Sequence, residues 1–139
     1  MKLVGEFVLT PPGTPVGKDA AILSLMVKNC SASELYFCAR FAFAPFVGEV
    51  WPTLTAPSGS VVPFAARVRL ASLHAADFIL LQPGEATVAG VRLARYFKLE
   101  QPGTYRLSAK YVCREVPPEL AKLPVFVGEL ESDAVEFTV

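Results

Sequence analysis

Histidine is nearly absent from this chain, with His74 the single example among 139 residues. A zinc site, or a nucleophile assisted by a base, draws on several convergent His, Cys, Asp or Glu side chains. Neither is readily assembled here, and no catalytic, cofactor-binding or metal-ligating residue is assigned. Charge imbalance is missing as well, since thirteen Lys and Arg balance thirteen Asp and Glu. That removes the long-range positive potential with which proteins gather nucleic acid or anionic membrane. No uninterrupted apolar run approaches the ~20 residues of a membrane span. The opening run MKLVGEFVLTPPG is broken by Gly5 and Glu6 and stops at Pro11 and Pro12, too short and polar for a signal-peptide core. The expected compartment is the cytoplasm, or the exterior if the sequence is that of a trimmed form.

Cysteine is scarce and odd in number: Cys30, Cys38 and Cys113 include no CxxC pair. Neither a disulfide framework nor a zinc knuckle is signalled. Reduced, partly buried thiols are expected, with a Cys38–Cys113 or Cys30–Cys38 bridge as the alternative in an exported protein.

Apolar side chains are abundant, at 53% of residues with ten Phe among them. A chain of this length buries roughly two-thirds of its unfolded surface around one core, so residues 1–139 read as one domain. Alternating apolar residues punctuated by Gly, Pro, Ser and Asn predict strands at Lys2 to Leu9, Ala20 to Asn29, Leu35 to Phe43, Asp77 to Leu81, Ala86 to Leu93, Tyr105 to Val112 and Glu129 to Val139. The Asn29 to Ser33 turn predicts a hairpin between the second and third of these. Val47 to Leu54 reads as an edge strand, and Val61 to Phe64 and Ala66 to Leu70 as two short strands. Ser72 to Ala76 reads as loop. Single helical turns are expected at Leu93 to Phe97 and within Glu119 to Leu123.

Gln-Pro-Gly occurs twice, at Gln82-Pro83-Gly84 and Gln101-Pro102-Gly103. Pro then Gly suits a type II turn, whose third residue takes a positive φ. Tyr105 follows the second turn where a tyrosine corner would stand, its phenol bonding main chain upstream. The pattern implies an all-β, antiparallel, immunoglobulin-like Greek-key sandwich of about seven to nine strands, with at most one or two short helical turns.

Val62-Pro63-Phe64, the stretch from Ala66 to Ala76, Asp77 to Glu85, Leu93-Ala94-Arg95-Tyr96, Pro102-Gly103-Thr104-Tyr105 and Leu130 to Val135 occur in that order. Over roughly residues 20 to 139 this series resembles the immunoglobulin-like module that precedes the catalytic domain of bacterial deuterolysin-type metallopeptidases. Ala86 stands where that module has Ser, and Gly90 to Leu93 lacks its Asp. The H-E-x-x-H zinc helix of the peptidase is absent. The resemblance implies a free-standing relative of the accessory module rather than a protease.

His74 could be oriented by Asp77, although an exposed loop histidine is the plainer reading. Glu129, Glu131 and Asp133 could bind calcium at a sandwich end, or guard an exposed edge. Phe37 and Phe41 are expected in the core. Phe43, Phe46 and Trp51, where Pro45 and Pro52 interrupt the strand, are candidates for an exposed partner surface, with Val125, Phe126 and Val127 as a rival patch. The function expected is a non-catalytic interaction or accessory module, protease-associated or inhibitor-like. It would bind a protein partner, or a second copy through a sheet edge, and neither nucleic acid nor membrane. The alternative is a small-molecule binder or minor enzyme using a cavity between the sheets.

Overall fold

A computed structural model describes residues 3–10 and 22–139. The proline cluster after Thr10 and the side chains of the first strand lie outside the described residues. The described chain is mostly strand, all of it paired antiparallel within its sheets. Its strands are β1 (Leu3–Thr10), β2 (Ile22–Asn29), β3 (Leu35–Cys38), β4 (Val50–Thr55), β5 (Val61–Val62), β6 (Phe78–Leu81), β7 (Ala86–Arg92), β8 (Thr104–Cys113), β9 (Gly128–Glu131) and β10 (Val135–Thr138). Three sheets result: β1-β2-β7, β10-β8-β4-β5 with β9 also on β8, and β3-β6. No helix among the described residues is long and apolar enough to cross a membrane.

β8 is the organising strand, because alternate residues Tyr105, Leu107, Ala109 and Tyr111 are buried between two flanking ladders. β4 pairs along one side of it, and β9 and β10 share the other. Between Glu131, opposite Lys110, and Val135, opposite Leu107, the three residues 132–134 face only Ser108 and Ala109. That extra residue is a bulge. It divides the strand expected at Glu129 to Val139 into two, and Ser132 closes it with its N–H donating to the Ala109 carbonyl at 3.1 Å.

Leu35, Phe37, Leu54, Leu93, Tyr105 and Leu107 are almost wholly buried at the centre of one core. Tyr105 stacks on Phe137 with ring centroids 5.5 Å apart. Its hydroxyl donates to the Gln101 carbonyl at 2.7 Å and accepts from the Gln101 N–H at 3.0 Å. The tyrosine-corner expectation is met at that bond.

Several local readings are corrected. β2 and β3 form no hairpin: β2 pairs with β1 and β7, and β3 pairs with β6. The reason is Asn29, fully buried, whose Nδ2 donates to the Ser33 and Leu81 carbonyls at 3.0 and 2.9 Å. Its side chain satisfies the main chain of a crossing between sheets. The first Gln-Pro-Gly turn crosses in the same way between β6 and β7. Gly84 there has φ 84°, and Glu85 N–H donates to Gln82 O at 3.0 Å, as a type II turn requires. β4 lies between β8 and β5, but β5 reaches only Leu54 and Thr55, so the expected edge character persists at Pro52. Residues 66–70 pair with nothing among the described residues, although their exposure alternates as a strand's would. Among the described residues single 3₁₀ turns number three, at Ala75–Asp77, Leu93–Arg95 and Pro118–Leu120, one more than expected. The unforeseen one arises because the Asp77 carboxylate accepts from the His74 N–H at 2.9 Å and closes the turn.

Candidate partner-binding surface

Between β3 and β4 the chain makes a tight excursion built by its main chain. Val50 N–H donates to Ala42 O at 3.0 Å, Ala44 N–H to Val50 O at 3.0 Å, and Gly48 N–H to Ala44 O at 2.9 Å. Gly48 is needed for the approach, since a Cβ there would lie 2.1 Å from the Ala42 carbonyl oxygen. Two non-glycine residues take left-handed backbone, Phe41 at φ 51° and Phe46 at φ 65°. Each costs about 1–2 kcal/mol, and such strain persists only where surrounding structure over-determines it.

Here the over-determination comes from a buried ion pair. Glu49, 4% exposed, takes Arg40 in a bidentate grip, Nε to Oε1 at 2.9 Å and Nη2 to Oε2 at 2.6 Å. Its Oε1 also accepts from Ala42 N–H at 3.2 Å. The bond to Glu49 holds the Arg40 guanidinium above its usual pKa. Arg40 Nη1 reaches on to the Ala71 carbonyl at 2.8 Å, pinning the extended segment to the same loop. Nothing in the spacing of Arg40 and Glu49 announced the pair.

At the tip of this rigid loop Phe46 is 84% exposed and Val47 64% exposed. Phe46 lies against Trp51, ring centroids 5.1 Å apart. Trp51 is fixed by Nε1–H donating to Gly48 O at 2.7 Å, and the Arg114 guanidinium sits 5.5 Å from its ring centre. Clefts open on both sides of the aromatic pair. One of about 360 Å³ is lined by Pro45, Pro52, Thr53, Lys110 and Ser132, and one of about 170 Å³ by Arg40, Leu73, Cys113 and Arg114.

The other expected surface residues are placed differently. Phe43 is buried, packed 4.8 Å from Tyr96 and 6.4 Å from Phe64 and Phe97. Val125 and Phe126 are buried too, because Tyr36 of β3 donates to Pro124 O and accepts from Phe126 N–H, both at 2.8 Å. That draws the long loop into the core, and of the rival patch only Val127 stays exposed. Phe46 and Trp51 are therefore the expected pair that the structure brings together at the surface.

The remaining candidates acquire definite partners. His74 is exposed, with Asp77 bound to its main chain. Glu129 accepts from Arg114 at 2.6 Å and lies 3.6 Å from Lys110, which also sits 3.8 Å from Glu131. Arg114 and Lys110 hold the Glu129 carboxyl below its usual range. No three His, Cys, Asp or Glu come together in a metal-holding group among the described residues. All three cysteines are free, Cys30 exposed and Cys38 and Cys113 buried. Burial pushes the Cys38 thiol up to about 12 and raises Cys113 and Tyr111, whose hydroxyl donates to Cys38 O at 2.5 Å. The gap lined by Leu25, Phe41, Phe43, Val91 and Tyr96 measures about 80 Å³, below the ~300 Å³ at which ligand pockets begin. Compared with protein-family models and with curated proteins, the chain matches none.

Proposed function

We propose that this chain is a non-catalytic interaction module of immunoglobulin-like, Greek-key sandwich type, which docks a protein partner on Phe46, Val47 and Trp51. The carrying observation is an apolar side chain held 84% exposed, in left-handed backbone, on a loop whose two ends the Arg40–Glu49 ion pair ties together. A ring held out in water gains about 1.5–3 kcal/mol when a partner covers it, and interface anchors are enriched in aromatic and Arg side chains. Phe46, Trp51 and Arg114 are such a set. The immunoglobulin-like assignment is supported by the Tyr105 bond to Gln101 and by the two crossings between sheets. The resemblance to the accessory module of deuterolysin-type peptidases makes a protease the partner class to test first, as an associated module or an inhibitor.

Phe46→Asn tests the reading, because Asn tolerates left-handed backbone and removes the ring. Unfolding free energy should stay within about 1 kcal/mol of wild type. A photoreactive residue at position 46 should give a discrete adduct in the producing cell, and one at Val127 should not. Equal adducts at both positions, or none, would refute the surface.

A further inference from the structure

The outer edge of β7 supports a second conclusion, independent of Phe46. Asn29 N–H donates to Glu85 O at 2.9 Å, which fixes the phase of the β2–β7 ladder. Antiparallel pairs alternate between bonded and non-bonded, so Thr87, Ala89 and Val91 turn their main-chain groups to β2. Ala86, Val88, Gly90 and Arg92 turn theirs outward. Those outward N–H and C=O groups bond nothing among the described residues. Natural edges are usually blocked by Lys, Pro, a bulge or a covering loop. This one has no Pro, no Lys and no bulge, and Val88 on it is 60% exposed.

We infer that β7 pairs antiparallel with β7 of a second copy of this chain, about a two-fold axis through Ala89. In that register Val88 faces Gly90 of the other copy, and Ala86 faces Arg92. Every outward N–H and C=O of the strand is then satisfied. Shifting the axis to Val88 or Gly90 leaves Arg92 or Ala86 without a partner. The side chains agree with the register, since the exposed Val88 meets a glycine above which there is open space. Ala89 brings only a methyl group to the axis. The charges agree as well. Glu85 precedes the strand and Arg92 ends it, so antiparallel pairing sets Arg92 of one copy at the Ala86 and Glu85 end of the other, whereas parallel pairing would bring like to like. The product is one continuous sheet, β1-β2-β7 joined to its symmetry mate, with a closed isologous interface.

Sedimentation equilibrium should give twice the chain mass, 2 × 15.0 kDa, at micromolar concentration. Val88→Lys should weaken the dimer at least tenfold, while at concentrations where both proteins are monomeric its urea midpoint should match wild type, because its side chain points to solvent. In a Cys30→Ser background, Ala89→Cys should form an intermolecular disulfide on mild oxidation. The two Cα atoms of this non-bonded pair would lie about 4.5 Å apart, within disulfide range. Thr87→Cys or Val91→Cys alone should not cross-link, but the two mixed should, since they face each other. A monomer throughout the concentration range, a Val88→Lys dimer as tight as wild type, or cross-linking at 87 alone equal to that at 89 would overturn the assignment. Phe46→Asn should leave the mass unchanged, which separates this outcome from that of the proposed partner surface.

Discussion

Replacing Glu49 by Gln removes the charge from the Arg40 pair while keeping its volume. Three bonds end on that carboxylate, two from Arg40 and one from Ala42 N–H. Arg40 would retain the Ala71 carbonyl, leaving a guanidinium whose side chain is 19% exposed without its counter-charge. Breaking a buried pair from one side costs about 3–5 kcal/mol, and the residual solvation of Arg40 places the loss near the lower end, about 3 kcal/mol. A domain of this size holds about 5–15 kcal/mol in all, so the variant should fold but be conspicuously weakened. With a urea slope of about 2 kcal/mol/M the midpoint should fall by about 1.5 M, and the melting temperature by about 10–15 °C. The single tryptophan gives the assay a local reading. Trp51 is tied to Gly48 beside Glu49, so its native emission should shift to the red as the loop loosens. Removing both charges with Arg40→Met and Glu49→Leu should recover much of the loss, because the penalty is that of an orphaned ion. A Glu49→Gln midpoint within about 0.3 M of wild type, under ~1 kcal/mol, would refute the account of what holds the loop.

Tyr105→Phe should cost about 1–3 kcal/mol in urea unfolding, since it leaves Gln101 N–H and C=O without their buried partner; a loss under about 0.5 kcal/mol would show the corner bond to be dispensable. In thiol titration of the native protein, Cys30 should react at once, and Cys38 and Cys113 only on unfolding. The Cys38 thiol is raised from 9.0 to about 12 in the folded protein, so its contribution is complete below pH 9 and is lost as the pH climbs toward 12. Cys38→Ala should flatten that alkaline decline, and an unchanged slope would contradict it.

Alternation of side chains was enough to place most strands, because exposure in a half-buried strand follows the two-residue period of the backbone. Pairing was not legible in the same way. Asn29 followed by Cys30 and Ser31 reads locally as a reversal, and only its bonds to Ser33 and to Leu81, 52 residues away, reveal the crossing. The segment 66–70 shows the converse, with a strand's periodicity and no neighbour to bond among the described residues. At the surface site, Phe43 and Phe46 are indistinguishable by type and differ in their surroundings. Phe43 is enclosed by Phe64, Tyr96 and Phe97 from distant positions, and Phe46 is turned outward by a left-handed φ that sequence propensity assigns to glycine. Val125 and Phe126 read as a surface patch in sequence, and their burial depends on a bridge to the main chain of Tyr36.

Pro52 gives β4 an asymmetry that bears on how far this protein can assemble. Ala109, its partner on β8, directs both main-chain groups to Ser132, so Pro52 faces away from β8, beyond the end of β5. A strand arriving there would find no amide proton to bond. The pairing proposed at β7 is closed by its own two-fold symmetry, and Pro52 removes one donor from the part of β4 that β5 does not cover.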